Sequence, residues 1–307
     1  MLVELVQLLA ALRLPSSSTG DFEPLDGSPW AAERVSIRLP GGGERVFLLR
    51  PGADPEEAVN HRAVMEALTR SAFAAAPKLL AVCREVAVEE WVDGVSALAL
   101  VPPPGAAEAA IEALAALHQL PVREGLRWEQ RPADLLAEGD LPLHRLGFAA
   151  QERESAREHL AAARVEVLAS PFGFVHGNAA AQNVLLGRGR AWLVDFGAAG
   201  FGAQLYDVAS FLLTSGLEAP ARRALAMHYA RLRNCDPDKT ADEVDTAGIL
   251  WGIDELLRLP RRLIEMLGDD VAREALHTAS ARIDRGLRSP AGSSPAAAAI
   301  RAALWPA

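Results

Sequence analysis

Four polar residues lie close together in the second half of the chain. His176, Asn178 and Asn183 fall within HGNAAAQN, and Asp195 ends the apolar run AWLV, two residues before Gly197. Asn178 and Asn183 sit five positions apart, between the short apolar runs FGFV and NVLL. A loop amide and a strand-end carboxylate are oxygen donors of the kind that hold Mg²⁺ against the phosphates of ATP. Phosphoryl transfer also needs a group that orients the attacking hydroxyl, and Asn178 stands in its place. A carboxylate there could take the proton as well. An amide oxygen accepts the hydrogen bond but is not a useful base, and general-base help is worth roughly 10²–10⁴ in rate. Read singly, Asn183 is a turn-capping amide, Asp195 an Asx turn and His176 a hydrogen-bonded core histidine. Read together, with VDFG in place, Asn183 and Asp195 read first as metal ligands.

The elements around them follow from the sequence pattern. MLVELVQLLAALRLP has apolar residues at helical spacing, Glu4 and no basic leader, so it predicts a packed amphipathic helix rather than a signal peptide. The polar segment from Pro15 to Pro29 reads as a loop. WAAERVSIRL and ERVFLLR read as strands joined by PGGG. A helix is predicted over Asp54 to Thr69, with Asp54 as N-cap, Pro55 at its first position and Glu56 and Glu57 at its positive end. KLLAVC and EVAVEEWV are two more strands, and VDGVSALALVPPPG is the linker to a mostly helical second half. Helices are expected over Ala106 to His118, Pro132 to Glu138 and Gln151 to Leu168. Helices dominate again from Gln204 onward, with a break at AGSSP near residue 291.

The totals exclude some functions. A net charge of −9 argues against a sequence-independent nucleic-acid binder. No run approaches the roughly 18 apolar residues of a membrane span. Cys83 and Cys235 have no metal-ligand spacing and read as reduced thiols of a cytoplasmic protein. Lys78 and Lys239 are the only lysines among the 307 residues, so a lysine-based phosphate clamp has few candidates.

HGNAAAQN followed by VDFG resembles the motif pair of the aminoglycoside phosphotransferase and choline kinase-like family. EEWVDGVS resembles its hinge strand, AALHQLP the helix before the catalytic half, and YDVASFLL the later helix that starts at an acidic residue, here Asp207. The order and spacing of these pieces extend the resemblance over most of the chain. It implies an α+β, bilobal, protein-kinase-like fold: a small N-terminal lobe with an antiparallel sheet, residues 1–92, and a larger helical lobe, residues 93–307. It implies ATP or GTP between the lobes, with the base edge meeting backbone at Glu90, Trp91 and Val92. It also implies Mg²⁺ on Asn183 and Asp195, a loop-supporting His176 and a structural Asp207.

The chain departs from the family's pattern at several places. Asn178 replaces the catalytic aspartate. Aligning RVFLLRPG with the family's lysine-bearing strand puts Leu49 at the lysine position, with Arg50 one step along. Arg50 serves as the phosphate clamp only if the register slips by one, which reverses the face of a strand side chain; otherwise it is a solvated strand end. His61 takes the place of the helix glutamate that pairs with that lysine, and Glu57, one turn earlier, reads first as a helix-start charge and second as a residue reaching inward. GFGAQLYD carries Gly202, Ala203 and Gln204 where the family has Gly-Asp-Pro. Correlated losses of this kind fit a degenerate kinase, or an enzyme whose site is rebuilt with Arg50 and His61. Two functions follow: a weakened phosphotransferase acting on a small-molecule or peptide hydroxyl, and a pseudokinase that binds nucleotide or a protein partner. The acidic run Asp236, Asp238, Asp242, Glu243 and Asp245, ahead of Trp251, Asp254 and Glu255, reads first as a helix N-terminus and second as a cation-binding acceptor pocket.

Overall fold

The computed structural model describes residues 4–25, 32–51, 55–127, 147–187, 189–265 and 270–305. The small lobe contains α1 (Leu5–Ala11), β1 (Thr19–Pro24), β2 (Glu33–Arg38), β3 (Glu44–Arg50), α2 (Pro55–Arg70), β4 (Leu79–Cys83) and β5 (Val86–Glu90). Its five strands form an antiparallel sheet in the order β1-β2-β3-β5-β4. Side chains alternate along a strand. Val35, Ile37, Phe47, Leu49 and Val88 therefore share one face, which packs with Leu8 and Leu9 of α1 into a core. Arg50 pairs with Ala87 and Leu48 with Glu89, so Arg50 and Glu89 turn to the opposite face.

β1 lies inside the segment read as a loop from its glycine, serine and proline content. An edge strand pairs on one side only, and it tolerates Gly20, polar side chains and a terminal Pro24. Its register is backed by ion pairs from Arg34 to Glu23 and from Arg38 to Asp21.

The larger lobe begins with β6 (Val95–Ser96) and α3 (Pro104–Leu117), followed by β7 (Leu126–Arg127) and α4 (Ala150–Leu168). β8 (Phe172–Val175), β9 (Val184–Gly187), β10 (Arg190–Leu193) and β11 (Gly200–Ala203) are short. They make two three-stranded sheets, β10-β9-β6 and β7-β11-β8. Five helices follow: α5 (Leu205–Thr214), α6 (Ala219–Leu232), α7 (Pro237–Glu265), α8 (Asp270–Arg288) and α9 (Pro295–Leu304). α5 is buried along almost its whole length and packs on α7, so Val208, Phe211 and Leu212 anchor the loop ahead of it to the lobe's core. The predicted break at AGSSP separates α8 from α9, whose N-cap Ser294 accepts from the Ala297 N–H. The helix expected over Pro132 to Glu138 lies outside the described residues. No helix among the described residues is long and apolar enough to cross a membrane.

The linker between the lobes is pinned to the β9–β10 hairpin. β6 pairs antiparallel with β9, and Gly94 and Gly187 allow the two backbones to touch. A Cβ on Gly187 would lie 2.6 Å from the Asp93 carbonyl oxygen.

Candidate active site

The loop 176–183 is held at its start by a carboxylate. Asp207, in the first turn of α5, accepts the His176 N–H at 2.6 Å and the Gly177 N–H at 3.0 Å on separate oxygens. His118 Nε2 meets the same carboxylate at 3.0 Å, and its Nδ1 lies 2.8 Å from the Tyr229 hydroxyl. Asp207 and His118 are both buried. Gln204 donates to the His118 carbonyl and accepts from Arg233, so it is a buried structural brace.

The loop is then tied to the strand that carries Asp195. His176 is fully buried, and its Nε2 donates to the Val194 carbonyl at 2.9 Å. Val194 in turn donates its N–H to the Asn183 carbonyl at 3.0 Å. Burial holds the His176 imidazolium below its usual pKa, outweighing the attraction of Asp207 and Asp195. Asn183 is buried in a single 3-10 turn, and its Nδ2 donates to the Asn178 carbonyl at 2.9 Å. That bond orients the amide and leaves its oxygen as the end open to a ligand. Asp195 has a left-handed backbone, φ 67°, a conformation that aspartate visits more readily than most residues.

Opposite the loop, Arg50 reaches into the cleft. Its Nη1 donates to Asp195 Oδ1 at 2.8 Å, and its Nε lies 3.6 Å from Glu89 Oε1. Leu49, at the expected lysine position, is fully buried in the other face of the sheet. The side chain that turns inward is thus Arg50, one position along, and it is not a solvated strand end. His61 Nε2 binds Glu89 Oε1 at 2.7 Å, with both side chains buried. Burial alone would raise the carboxyl of Glu89, but His61 and Arg50 overcome it and hold the group below its ordinary value. The same opposition sets Asp195: burial pushes it up, and Arg50, His61, His176 and the Gly197 N–H bring it below the usual carboxylate range. Burial disfavours the Arg50 cation, but Asp195, Glu89 and Glu57 hold its pKa above the usual arginine value.

α2 is fixed to the segment after Asp195. Asn60 Nδ2 donates to the carbonyls of Gly197 and Ala199, at 2.8 and 2.9 Å. Glu57 packs so closely on Gly197 that a Cβ there would lie 2.4 Å from its Oε1. Glu57 stands in the first turn of α2, as its helix-start reading has it, and also faces the site. At the linker, β5 ends at Glu90, whose N–H is bonded to the Lys78 carbonyl. Trp91 turns its indole toward Asp93 and Arg34, and Val92 follows it out of the sheet.

Glu89 and Asn60 were missed from the sequence. Glu89 did carry a signal, because an apolar strand ending VAVEE must turn one of its two glutamates inward. Asn60 carried none, since its partners are backbone carbonyls well over a hundred positions away. The acidic run at α7 is consumed by structure. Arg223 pairs with Asp238 and Asp242, and Arg301 grips Asp245 through two bonds. Asp242 and Asp245 also accept the Ser293 and Ala291 N–H groups, which ties down the segment between α8 and α9.

The sequence matches the family model of the phosphotransferase enzyme family, APH, over residues 23–245. The chain belongs to this family. Structures similar to it include a choline/ethanolamine kinase family protein from Mesorhizobium loti, with a TM-score of 0.64 at 20% identity, covering 92% of this chain and 93% of that one. Choline kinase LicA from Streptococcus pneumoniae has a TM-score of 0.57 at 15% identity, over 87% and 92% of the two chains. A thermostable mutant of aminoglycoside phosphotransferase APH(4)-Ia, in ternary complex with AMP-PNP and hygromycin B, has a TM-score of 0.53 at 18% identity, over 92% and 99%. These likenesses establish the bilobal, kinase-like fold. Among curated proteins, none matches the chain.

The donor set of this phosphotransferase-family site fits a hard divalent cation. Asn183 and Asp195 offer an oriented amide oxygen and a carboxylate below its usual pKa. Among the described residues no group of three or more His, Cys, Asp or Glu could hold a metal by itself. A cation on these two residues would complete its shell with water and phosphate oxygens, as Mg²⁺ does.

Proposed function

We propose that the chain is a nucleotide-dependent phosphotransferase that passes the terminal phosphate of ATP or GTP to a hydroxyl of a small molecule, at a rate lowered by Asn178. The observation that carries this reading is the Arg50–Asp195 contact, which sets a guanidinium beside the segment that orients Asn183. Arg50 offers phosphate-binding N–H groups from the small lobe. Asn183 and Asp195 offer ligands for Mg²⁺, which when bound neutralises phosphate charge. Asn178 orients the acceptor hydroxyl through its amide oxygen, and the proton leaves to solvent or to the phosphate itself. Much of phosphoryl transfer is positioning and charge stabilisation, so turnover survives the loss of a base. Glu90, Trp91 and Val92 supply the backbone edge for the nucleotide base. We also propose a lobe boundary at residue 92 and a cytoplasmic location, as the sequence reading has them. The choline/ethanolamine kinase family protein, the choline kinase and the aminoglycoside phosphotransferase bound to hygromycin B support a small hydroxyl compound over a peptide acceptor.

The test is transfer of labelled phosphate from ATP and from GTP, with Mg²⁺, to choline, ethanolamine, hygromycin B and a serine peptide, using the native chain and Asn178→Asp. Transfer that rises in the variant supports the reading. Nucleotide binding without transfer by either protein supports a second one, a pseudokinase that works through a protein partner, which Asn178 favours. The absence of both binding and transfer overturns the phosphotransferase reading.

A further inference from the structure

Glu89 is a carboxylate with 1% of its side chain exposed, on a strand paired on both sides. A charge buried so completely destabilises a fold unless it is paired and hydrogen-bonded. Its Oε1 meets two partners, His61 Nε2 from α2 at 2.7 Å and Arg50 Nε from β3 at 3.6 Å. Three elements thus converge on one oxygen. The other end of the guanidinium reaches Asp195.

A guanidinium has five N–H donors. Arg50 spends one on Asp195, while its Nε is buried with no hydrogen-bond partner. The side chain also lines a cavity between the end of β3, α2 and the Asp195–Gly197 segment, together with His61, Glu57 and Arg62. That Nε faces Glu89 at 3.6 Å, so it is the outer N–H groups of the guanidinium, of which one is spent on Asp195, that line the cavity and suit an anionic ligand.

We propose that Glu89 is a positioning residue for nucleotide phosphates: with His61 it holds Arg50 at the cleft, so that the guanidinium, rather than a strand lysine paired with a helix glutamate, meets the phosphate chain. The inference rests on the nucleotide reading above. The charge partner of the clamp moves from α2 to β5, a strand of the same sheet as Arg50. Placement of the clamp then follows from the β3–β5 register, with α2 contributing His61 against Glu89 and the charge of Glu57.

The test is calorimetric titration of AMP-PNP with Mg²⁺, and separately of adenosine, into the native chain, Arg50→Ala, Glu89→Gln and the double variant. Glu89→Gln keeps the shape of the side chain, and its ligand-free melting temperature checks that it folds; Arg50→Lys serves as a second probe of the same pair. The expected result is AMP-PNP affinity about tenfold weaker in Glu89→Gln and about a hundredfold weaker in Arg50→Ala, with no further loss in the double variant. Arg50→Lys is expected to recover part of the loss. Adenosine, which has no phosphate, binds all four equally. Equal loss of adenosine and AMP-PNP, an unchanged AMP-PNP affinity in Glu89→Gln, or additive losses in the double variant would overturn the positioning role alone. A native chain that binds no AMP-PNP removes the nucleotide reading and this inference with it.

Discussion

Asp207 and Glu89 are both buried carboxylates, on opposite sides of one cleft, and they are satisfied in different ways. Asp207 takes two backbone N–H groups and an imidazole. Glu89 takes His61 and faces Arg50, and both partners are side chains. Backbone donors are present whatever residues the loop carries, so the loop keeps its course even with Asn178 in the base position. Side-chain pairs change with every substitution. The small-lobe side is accordingly where Arg50, Glu89 and His61 meet through side chains alone.

The largest effect that would break this contrast comes from Asp207→Ala. It leaves two backbone donors and His118 without their acceptor, and the expected cost in a urea titration is about 3–5 kcal/mol. A loss below 1 kcal/mol would show that the loop is held by something else. Asn178→Asp addresses the chemistry on the same side. The expected gain in phosphate transfer is about 10²–10⁴, with nucleotide affinity little changed. Gly197→Ala probes the seam between the two sides. Its methyl would collide with Glu57, so melting should show a loss of about 1–3 kcal/mol, and Glu57→Gly in the same chain should recover much of it.

The smallest effect is one of pH. An unfolded histidine binds a proton near pH 6.5, whereas buried His176 binds it only at lower pH. The unfolded state then holds more protons than the folded one as pH falls through about 6.5. Stability from this group is complete above that pH and declines below it, by at most ~1.4 kcal/mol per unit. Melting between pH 8 and 5.5 should be flatter in His176→Gln than in the native chain. Parallel curves would contradict the assignment.

How much of this could be read in advance followed the range of the interactions. α2 was legible because its start signals are local: proline at the first position and two glutamates at the positive end. HGNAAAQN and VDFG were legible because one short segment carries all the donors. The face of Arg50 was not, because it depends on pairing with β5 nearly forty positions away, and a one-residue change in parity reverses it. β1 escaped for a related reason, since an edge strand needs no apolar pattern of its own. The role of the acids at α7 was hidden until Arg223 and Arg301 came to them through the fold.

The central claim is that Asn183 and Asp195 close a divalent cation onto a nucleotide in the cleft. Water-proton relaxation of Mn²⁺, standing in for Mg²⁺ with AMP-PNP, reports this directly. The account predicts strong enhancement with the native chain and a return to the free-nucleotide level with Asn183→Ala. No enhancement with the native chain, or an undiminished signal in the variant, would contradict it.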